Sequence, residues 1–417
     1  MKKRIILWIA LLPGVAAQAQ TLHRTECPLG YDQYIGRVWR ENLSYAAEKL
    51  NVRIADAEVK AAGVFNDPQF GVEYGNNADR RMQMGQSVSA ELSKTFSPGK
   101  RAARIDLARS EQELSGALLE DYFRNLRAEA TLAYLDAVKQ AELFRVKQDA
   151  YENIRKLAEG DSVKYTLGKI TRVDDIQSGL EAGMMYNELL QARTDLHNAF
   201  FALNLQTATF DRDTLYVPSG SLHMPERTFD PDRLVQSALD NRADLAAALK
   251  DTEVARRERN MDFDVSLGVN HNTEVRNEIA PAPRFNGVTV GLSVPLKFSN
   301  LNKGTVQAAK YRIQQAEARY RQAELEVQTE VLQNLRQYLS LAEQVRRYET
   351  GLLEKAKSVI DGKIYSYDRG ETPLLEVLNA QRTYDDLRTA YIETLYDHAA
   401  ALVELERSAG IWDVVVE

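Results

Sequence analysis

Two acidic residues hold equivalent places in the chain. Asp174 and Glu376 lie 202 residues apart, each near the start of a predicted helix. Carboxylates gathered around one narrow aperture attract cations and repel one another when charged. Acidic groups in the first turn of a helix also interact favourably with its dipole, and Thr171 precedes Asp174 at the spacing of a capping pair. The two interpretations are compatible.

Other reactive side chains show no pattern typical of a catalytic or metal site. The five histidines lack the paired spacing of metal ligands, and His398 lies on an apolar helical stripe, where a packed role is expected. We recognise no Ser/His/Asp set, no phosphate-binding glycine loop and no catalytic carboxylate pair. The sequence therefore predicts no enzyme, no cofactor and no metal site.

The composition is that of a hydrophilic chain with long helices. The chain has 417 residues, a formal net charge of −7 and 27% charged residues, which excludes a helical membrane protein. No basic cluster interleaved with aromatic residues is present, so the sequence predicts no nucleic-acid partner. Glycine and proline are scarce, and no proline occurs from Gly99 to Val217 or from Leu296 to Thr372. These gaps predict helices longer than those of ordinary globular proteins.

The first residues are typical of an export signal. Basic residues at positions 2–4 precede an apolar run, and Ala17-Gln18-Ala19 matches a cleavage site, so we predict a signal peptide over residues 1–19. The apolar run is too short for a membrane-spanning helix. Cys27 is the only cysteine, which excludes an intrachain disulfide. The preceding Thr25-Glu26 lacks the small and apolar residues typical of a lipidation site.

The chain resembles itself at an offset of 202 residues. Identical pairs at this offset are Val88 and Val290, Phe96 and Phe298, Tyr165 and Tyr367, Gly168 and Gly370, Leu203 and Leu405. Each half is predicted to run helix, strand, loop, strand, very long helix, glycine-containing turn and long helix. The predicted helices are 32–62, 99–159, 171–208, 230–261, 304–360 and 373–409. We therefore predict repeats over residues 20–210 and 231–410, a linker over 211–230 and a tail over 411–417.

Four predicted strands alternate apolar and polar residues. They span about residues 68–75, 87–97, 262–270 and 287–298, and match the length and pattern of outer-membrane strands. The residues predicted to face lipid are Val88, Leu92, Phe96, Val290, Leu292 and Phe298. A soluble antiparallel sheet with one buried face would alternate equally well. Because the smallest barrels have about eight strands, four strands require several copies of the chain, and three copies would supply twelve.

The layout resembles the TolC family of outer-membrane efflux channels over nearly the whole mature chain. The segments that carry the resemblance are FNDPQFGVEYG, FSPGKRAAR, YTLGKITRVDDI and YDRGETPLLEVLNAQ. The resemblance implies a mainly α fold with a small transmembrane β portion: a homotrimer whose 12-stranded β-barrel in outer-membrane lipid continues into a periplasmic α-helical barrel. Asp67 interrupts the usual Asn-Pro of the family, and FSPGKR looks most like its cation-efflux branch.

The resemblance also assigns positions at the two turns. Glu376 and Asn379 match the family's periplasmic gate, and Asp174 and Gln177 hold the positions 202 residues earlier. The tip that contacts the adaptor is matched by Leu167, Gly168, Arg369 and Gly370. A tight turn that requires a positive φ explains both glycines equally well.

The predicted function is that of a passive exit duct in a tripartite efflux pump of a Gram-negative bacterium. The resemblance implies a periplasmic adaptor and an inner-membrane pump of the RND or ABC type as partners, with metal cations or drugs as substrates. One alternative is an exit duct for type I protein secretion. A periplasmic coiled-coil adaptor or scaffold is an alternative of a different class, which would share the long helices but not the four strands.

Overall fold

The computed structural model describes residues 25–76, 86–208, 214–257, 264–274, 284–294 and 303–413. The predicted signal peptide, Phe298 and the end of the predicted tail lie outside these residues. The strands are β1 Thr25–Leu29, β2 Gln69–Asn76, β3 Gln86–Phe96, β4 Thr214–Pro218, β5 Asp264–Glu274 and β6 Phe285–Ser293. The helices are α1 Tyr31–Glu41, α2 Leu43–Ala62, α3 Pro98–Thr166, α4 Arg172–Gln206, α5 Pro231–Asn241, α6 Ala243–Arg257, α7 Lys303–Arg347, α8 Leu353–Asp368 and α9 Leu374–Ala409.

The longest helix, α3, fills the first proline gap. It has 69 residues and begins with Pro98, whose ring suits the first turn of a helix. At about 1.5 Å per residue it is roughly 100 Å long. It ends seven residues later than predicted, shortly before Gly168, whose φ is +70°. No helix within the described residues combines the length and apolar character needed to cross a membrane.

The long helices form a layer. Toward the turns at 167–171 and 369–373, α3 packs between α4 and α9, and α9 packs in turn on α7 and α8. Toward the sheet, α3 packs between α2 and α6, and α6 packs on α7. Among the described helices, α2 and α4 therefore lie at one lateral edge of the layer, and α7 and α8 at the other.

Three predicted helices are interrupted. Asn42 separates α1 from α2 and caps α2, because its side-chain oxygen accepts a hydrogen bond from the Tyr45 N–H at 2.9 Å. Arg242 separates α5 from α6 with an extended ψ of 126°. A π-helical segment, Tyr348–Leu352, separates α7 from α8, and Gly351 within it has a φ of +99°. The single helices predicted over 32–62, 230–261 and 304–360 were therefore wrong at these points.

The four predicted strands form one antiparallel sheet in the order β2-β3-β5-β6. The register aligns Phe70 with Leu92, Leu92 with Val269, and Val269 with Val288, so the apolar residues share one face. The alternation predicted from the sequence is confirmed. This face is exposed rather than packed on a helix, as the surface exposure of its largest side chains shows: Phe70, Val72, Tyr74, Val88, Leu92, Leu267, Val269, Val288, Val290 and Leu292.

On the opposite, polar face, side chains of neighbouring strands lie directly over glycines. A Cβ at Gly268 would lie 3.1 Å from both the Glu91 Oε1 and the Thr289 Oγ1 atoms. A Cβ at Gly291 would lie 2.5 Å from the Ser266 Oγ atom. Polar side chains thus fill the space above glycines on this face, a crowding expected on the concave side of a curved sheet.

A two-stranded parallel sheet was not predicted. β1 pairs with β4, and the register runs from Thr25 with Thr214 to Leu29 with Pro218. β4 lies inside the stretch predicted as linker, whereas β1 lies in the first predicted repeat. The Tyr134 hydroxyl lies 2.9 Å from the carbonyl oxygens of both Leu29 and Ser219 and ties this sheet to α3.

His398 has the packed role predicted for it. It is 4% exposed and stacks on the Tyr338 ring with 4.9 Å between ring centroids. Burial lowers its pKa, because desolvation disfavours the charged imidazolium.

Asp385 on α9 should make stability depend on pH. It is 5% exposed, and the Gln381 amide donates to both of its carboxylate oxygens, at 3.0 and 2.9 Å. Burial raises its pKa to about 6, against about 3.9 in the unfolded chain. The folded state therefore binds a proton that the unfolded state has lost between about pH 4 and pH 6, and stability falls as the pH rises through this window.

We predict that Asp385→Asn abolishes this dependence. Relative to the wild type, the variant should gain up to about 3 kcal/mol of unfolding free energy above pH 6, and the difference should shrink toward pH 4. Chemical denaturation at a series of pH values measures it. Glu393→Gln, which removes an exposed carboxylate about two turns further along α9, should keep the wild-type slope. Parallel pH profiles for the wild type and Asp385→Asn would contradict the prediction.

Candidate functional site

The two glycine-containing turns lie together at one end of the helical layer, which we call the tip. The ammonium group of Lys164, near the end of α3, lies 3.0 Å from the carboxylate of Asp368, at the end of α8. The structure thereby brings Leu167 and Gly168 near Arg369 and Gly370, as their equivalent places in the sequence predict.

The turns have the same backbone geometry. Gly168 and Gly370 have φ values of +70° and +76°, in the left-handed region that glycine adopts without strain. Lys169 N–H donates to the Lys164 carbonyl and Glu371 N–H to the Ser366 carbonyl, both at 2.9 Å. These are the bonds of a Schellman-type helix end, so both glycines have the turn role considered for them.

Residues beside the glycines present different chemistry to solvent. Leu167 is 65% exposed at the apex of its turn. The Arg369 guanidinium lies 4.2 Å from the centroid of the Tyr365 ring, a cation–π contact that holds the arginine against its own helix. The tip therefore exposes an apolar group, Leu167, at the first turn and a cationic group, Arg369, at the second.

Asp174 belongs to a complete capping box at the start of α4. Its N–H donates to the Thr171 hydroxyl oxygen at 3.2 Å, and its Oδ2 atom accepts from the Thr171 N–H at 3.2 Å and from the Thr171 hydroxyl at 2.7 Å. The structural role considered for Asp174 is present. Gln177 follows one turn later and is partly exposed, so both predicted gate residues of α4 are accessible.

Glu376 and Asn379 lie on the exposed face of α9, opposite the buried Val377 and Leu378. The Glu376 carboxylate accepts from the Lys363 ammonium of α8 at 2.9 Å. Equivalent positions in the two turns thus have different partners: Asp174 binds Thr171 in the capping box, and Glu376 binds the Lys363 ammonium.

A buried contact between the two helical hairpins was not predicted. The Tyr367 hydroxyl of α8 donates to the Asp161 Oδ1 atom of α3 at 2.8 Å, and Asp161 is fully buried. Burial raises the pKa of Asp161, and burial together with nearby carboxylates raises the pKa of Tyr367. The only signal in the sequence was the pair of tyrosines at the 202-residue offset. Tyr367 is 8% exposed, whereas Tyr165 is 39% exposed.

A second contact joins α4 to α9. The Arg382 guanidinium donates to both oxygens of Glu181, at 2.9 and 2.6 Å, and Glu181 is buried. Two parallel hydrogen bonds of this kind fix direction as well as distance. Together with the Lys164–Asp368 and Tyr367–Asp161 contacts, this pair ties the α3–α4 hairpin to the α8–α9 hairpin.

The contacts at the tip position the two hairpins relative to each other. The carboxylates of Asp174, Asp368, Glu376 and Glu181 are bound by the capping box, a lysine or an arginine. The described residues contain no cluster of three His, Cys, Asp or Glu side chains suited to a metal ion. A small apolar core backs the tip, built from Ala150, Ile154, Met185, Ile360, Tyr367, Leu374, Val377 and Leu378. The tip can thus hold two hairpins in a fixed relation while exposing charged groups.

Comparisons with known proteins agree with this architecture. Residues 234–411 match the family model described as outer membrane efflux protein. The cobalt-zinc-cadmium resistance protein CzcC of Cupriavidus metallidurans is 23% identical over 378 residues, covering 88% of this chain and 86% of that protein.

Solved structures show the same fold. The structure of CusC, described in terms of folding and transmembrane channel formation, aligns with a TM-score of 0.72 at 15% identity, over 91% of this chain and 92% of that one. The Campylobacter jejuni CmeC outer membrane channel aligns with a TM-score of 0.72 at 15% identity, over 91% and 85% of the two chains. The resemblance seen in the sequence is confirmed: the chain is similar to outer membrane efflux proteins, by the family model over residues 234–411 and in its fold over most of its length.

Proposed function

We propose that this protein is the outer-membrane exit duct of a tripartite efflux pump and conducts its substrate passively. The observation that carries the proposal is that both layers of the chain, the sheet and the helices, are open at their lateral edges and expose apolar residues there. Such surfaces are normally covered by a partner or by lipid. A ring of identical chains would cover all of them at once.

Ring closure of the sheet explains its edges. β2 and β6 are the outer strands of the four-stranded sheet, and each pairs on one side only within the described residues. If β6 of one chain pairs with β2 of the next, three chains give twelve strands without a free edge, as a lipid environment requires. The exposed apolar face, with Val88, Leu92, Val290 and Leu292, would then contact lipid, as would Phe96.

The edge helices carry matching apolar stripes. On α4 the exposed residues are Val173, Ile176, Leu180 and Met184, on α7 they are Leu325, Leu332 and Leu339, and on α2 they are Leu43, Leu50 and Ile54. Their spacing of three, four or seven residues keeps each set on one helix face. Packing α2 and α4 of one chain on α7 and α8 of the next would bury these stripes and extend the barrel into a helical tube in the periplasm.

We predict that Leu332→Glu prevents trimer formation. Each of three interfaces would have to bury a carboxylate in place of a leucine that contributes about 2 kcal/mol. The wild type should migrate as a trimer in unboiled gels of outer-membrane fractions, and the variant as a monomer. Leu118→Glu, at an exposed leucine of the central helix α3, should leave the trimer intact. Recovery of the wild type as a soluble periplasmic monomer would contradict the duct itself and favour a periplasmic scaffold.

The tip would be the periplasmic entrance. Leu167, Gly168, Arg369 and Gly370 then form the surface that docks on the adaptor, with Leu167 as an exposed apolar anchor. Asp174, Gln177, Glu376 and Asn379 would line the aperture, where three chains contribute six carboxylates. Such a ring concentrates cations at a constriction.

We predict that removing these charges weakens the block of the pore by divalent cations. Asp174→Asn keeps an oxygen that can cap α4, so the double variant Asp174→Asn, Glu376→Gln tests charge rather than folding. In planar bilayers the half-blocking concentration should rise on the order of tenfold, or the conductance should rise. Glu354→Gln, which removes an exposed carboxylate away from the tip, should behave as wild type. Unchanged block and conductance in the double variant would contradict the gate.

Metal cations are the substrate class that we propose. The support is the similarity to a cobalt-zinc-cadmium resistance protein and the FSPGKR segment that resembles the cation-efflux branch. The partners would be a periplasmic adaptor and an inner-membrane pump, of the RND type if the substrate is a metal cation. A pump of the ABC type would suit the alternative of protein secretion.

We predict that deletion of the gene sensitises cells to cobalt, zinc or cadmium, and that the wild-type protein restores growth. The Leu167→Glu variant should form trimers yet fail to restore growth, because the adaptor would meet a charge at its docking surface. Growth on a panel of metals, drugs and bile salts measures both effects. Sensitivity to drugs and bile salts alone would contradict the metal assignment, and full rescue by Leu167→Glu would contradict adaptor docking at this residue.

A further inference from the structure

A pocket far from the tip lies between α3 and the segment that follows α9. Its volume is about 340 Å³, within the range of small-molecule sites. It is lined by Glu120, Phe123, Arg124, Arg127, Arg407, Gly410, Ile411 and Trp412. Three of these residues are arginines, and one is acidic.

Two guanidinium nitrogens of the residues that line this pocket lack a hydrogen-bond partner within the described part of the chain. The Nη1 atom of Arg124 and the Nε atom of Arg127 are buried, and no acceptor within the described residues reaches either of them. A buried donor of a charged group that lacks an acceptor is costly, and such groups in proteins normally bind an acceptor, water or an ion.

Neighbouring carboxylates already accept hydrogen bonds. Asp121, one turn before Arg124 on α3, accepts from the Asn125 amide at 3.2 Å. Arg407 donates to Glu404 and to Glu330, each at 2.7 Å. The buried Glu406 accepts from Arg227 at 2.8 Å and from the Asp413 N–H at 2.7 Å. Glu120 is the one acidic lining residue, and it is exposed at the rim.

Trp412 and Gly410 in the pocket wall lie next to the two arginines. The Arg127 guanidinium lies 3.8 Å from the centroid of the Trp412 ring, which fixes its plane. Gly410 has a φ of +68°, and a Cβ there would lie 3.3 Å from the Arg124 Nη1 atom. Burial lowers the pKa of Arg127 to about 10; Tyr31 and Glu406 oppose this lowering, and the charge of Arg124 adds to it. Two like charges in a half-buried site are stabilised by an anion between them.

We propose that this pocket binds a small oxyanion, such as phosphate or a carboxylate, between Arg124 and Arg127. Guanidinium groups offer paired N–H donors that match the oxygens of such anions. The apolar walls, Phe123, Ile411 and Trp412, exclude water and strengthen the interaction. The site is independent of the efflux function and of the gate at the tip.

Trp412 provides a spectroscopic reporter for the test. The chain has three tryptophans, of which Trp8 lies in the predicted signal peptide, so Trp39→Phe leaves Trp412 as the reporter of the mature protein. The purified full-length mature protein in detergent is titrated with sodium phosphate, and separately with sodium acetate, while sodium chloride keeps the ionic strength constant. We expect a saturable change in Trp412 fluorescence with at least one of the two oxyanions and none with chloride alone. Which oxyanion acts distinguishes phosphate from carboxylate.

Variants separate the site from general electrostatics. Arg124→Gln should weaken the apparent affinity by about tenfold or more, as expected for the loss of a charge-assisted hydrogen bond, and Arg124→Lys should weaken it less. Arg319→Gln, at an exposed arginine of α7, should leave the affinity unchanged. If Arg124→Gln fails to fold, broadening of the phosphorus NMR signal by the Trp39→Phe protein, with acetate as competitor, measures binding without it. No saturable response to either oxyanion, an equal response to chloride, or equal affinities in Arg124→Gln and Arg319→Gln would overturn the proposal.

Discussion

The constraint on which the rest of this structure depends is the need to satisfy open edges. A strand at the edge of a sheet carries unpaired N–H and C=O groups, and in lipid no water is available to bind them. β2 and β6 are such edges in this chain. The edges of the helical layer also lack a partner, because α4 and α7 expose rows of large apolar side chains to water. In the ring that we propose, joining one edge to the other would resolve both, so strand pairing and helix packing would need the same symmetry.

The parts of the fold that could be predicted from the sequence are those fixed by local chemistry. The absence of proline after Pro98 allows α3 to run for 69 residues, and period-two alternation identified all four strands of the sheet. The helix breaks at Asn42, Arg242 and Gly351 were missed for a physical reason. Each lies in a stretch of good helix-forming residues, where tertiary packing rather than propensity decides whether the chain bends. The β1–β4 pair was missed because it joins segments almost 190 positions apart.

In the candidate site, too, the local features could be predicted from the sequence and the contacts between distant segments could not. Gly168 and Gly370 could be predicted because a positive φ at a helix end selects glycine. The contacts between hairpins, Tyr367 with Asp161 and Arg382 with Glu181, could not, because nothing in the local pattern distinguishes a buried tyrosine from its exposed equivalent, Tyr165. An internal repeat reveals which positions correspond, but it conceals where the two halves have diverged to contact each other.

At the tip, the structural role of Asp174 in the capping box is compatible with the gate role that we propose for it. Both hydrogen bonds that Asp174 accepts from Thr171 reach its Oδ2 atom, so the capping box fixes the carboxylate through one of its two oxygens. A carboxylate held in this way loses little further entropy when a cation approaches, which is the condition for a well-defined binding ring. Glu376 is held instead by Lys363, which offsets part of its charge. A ring built from three such pairs would therefore alternate strong and weakened negative sites, and cations at the aperture would favour the Asp174 positions.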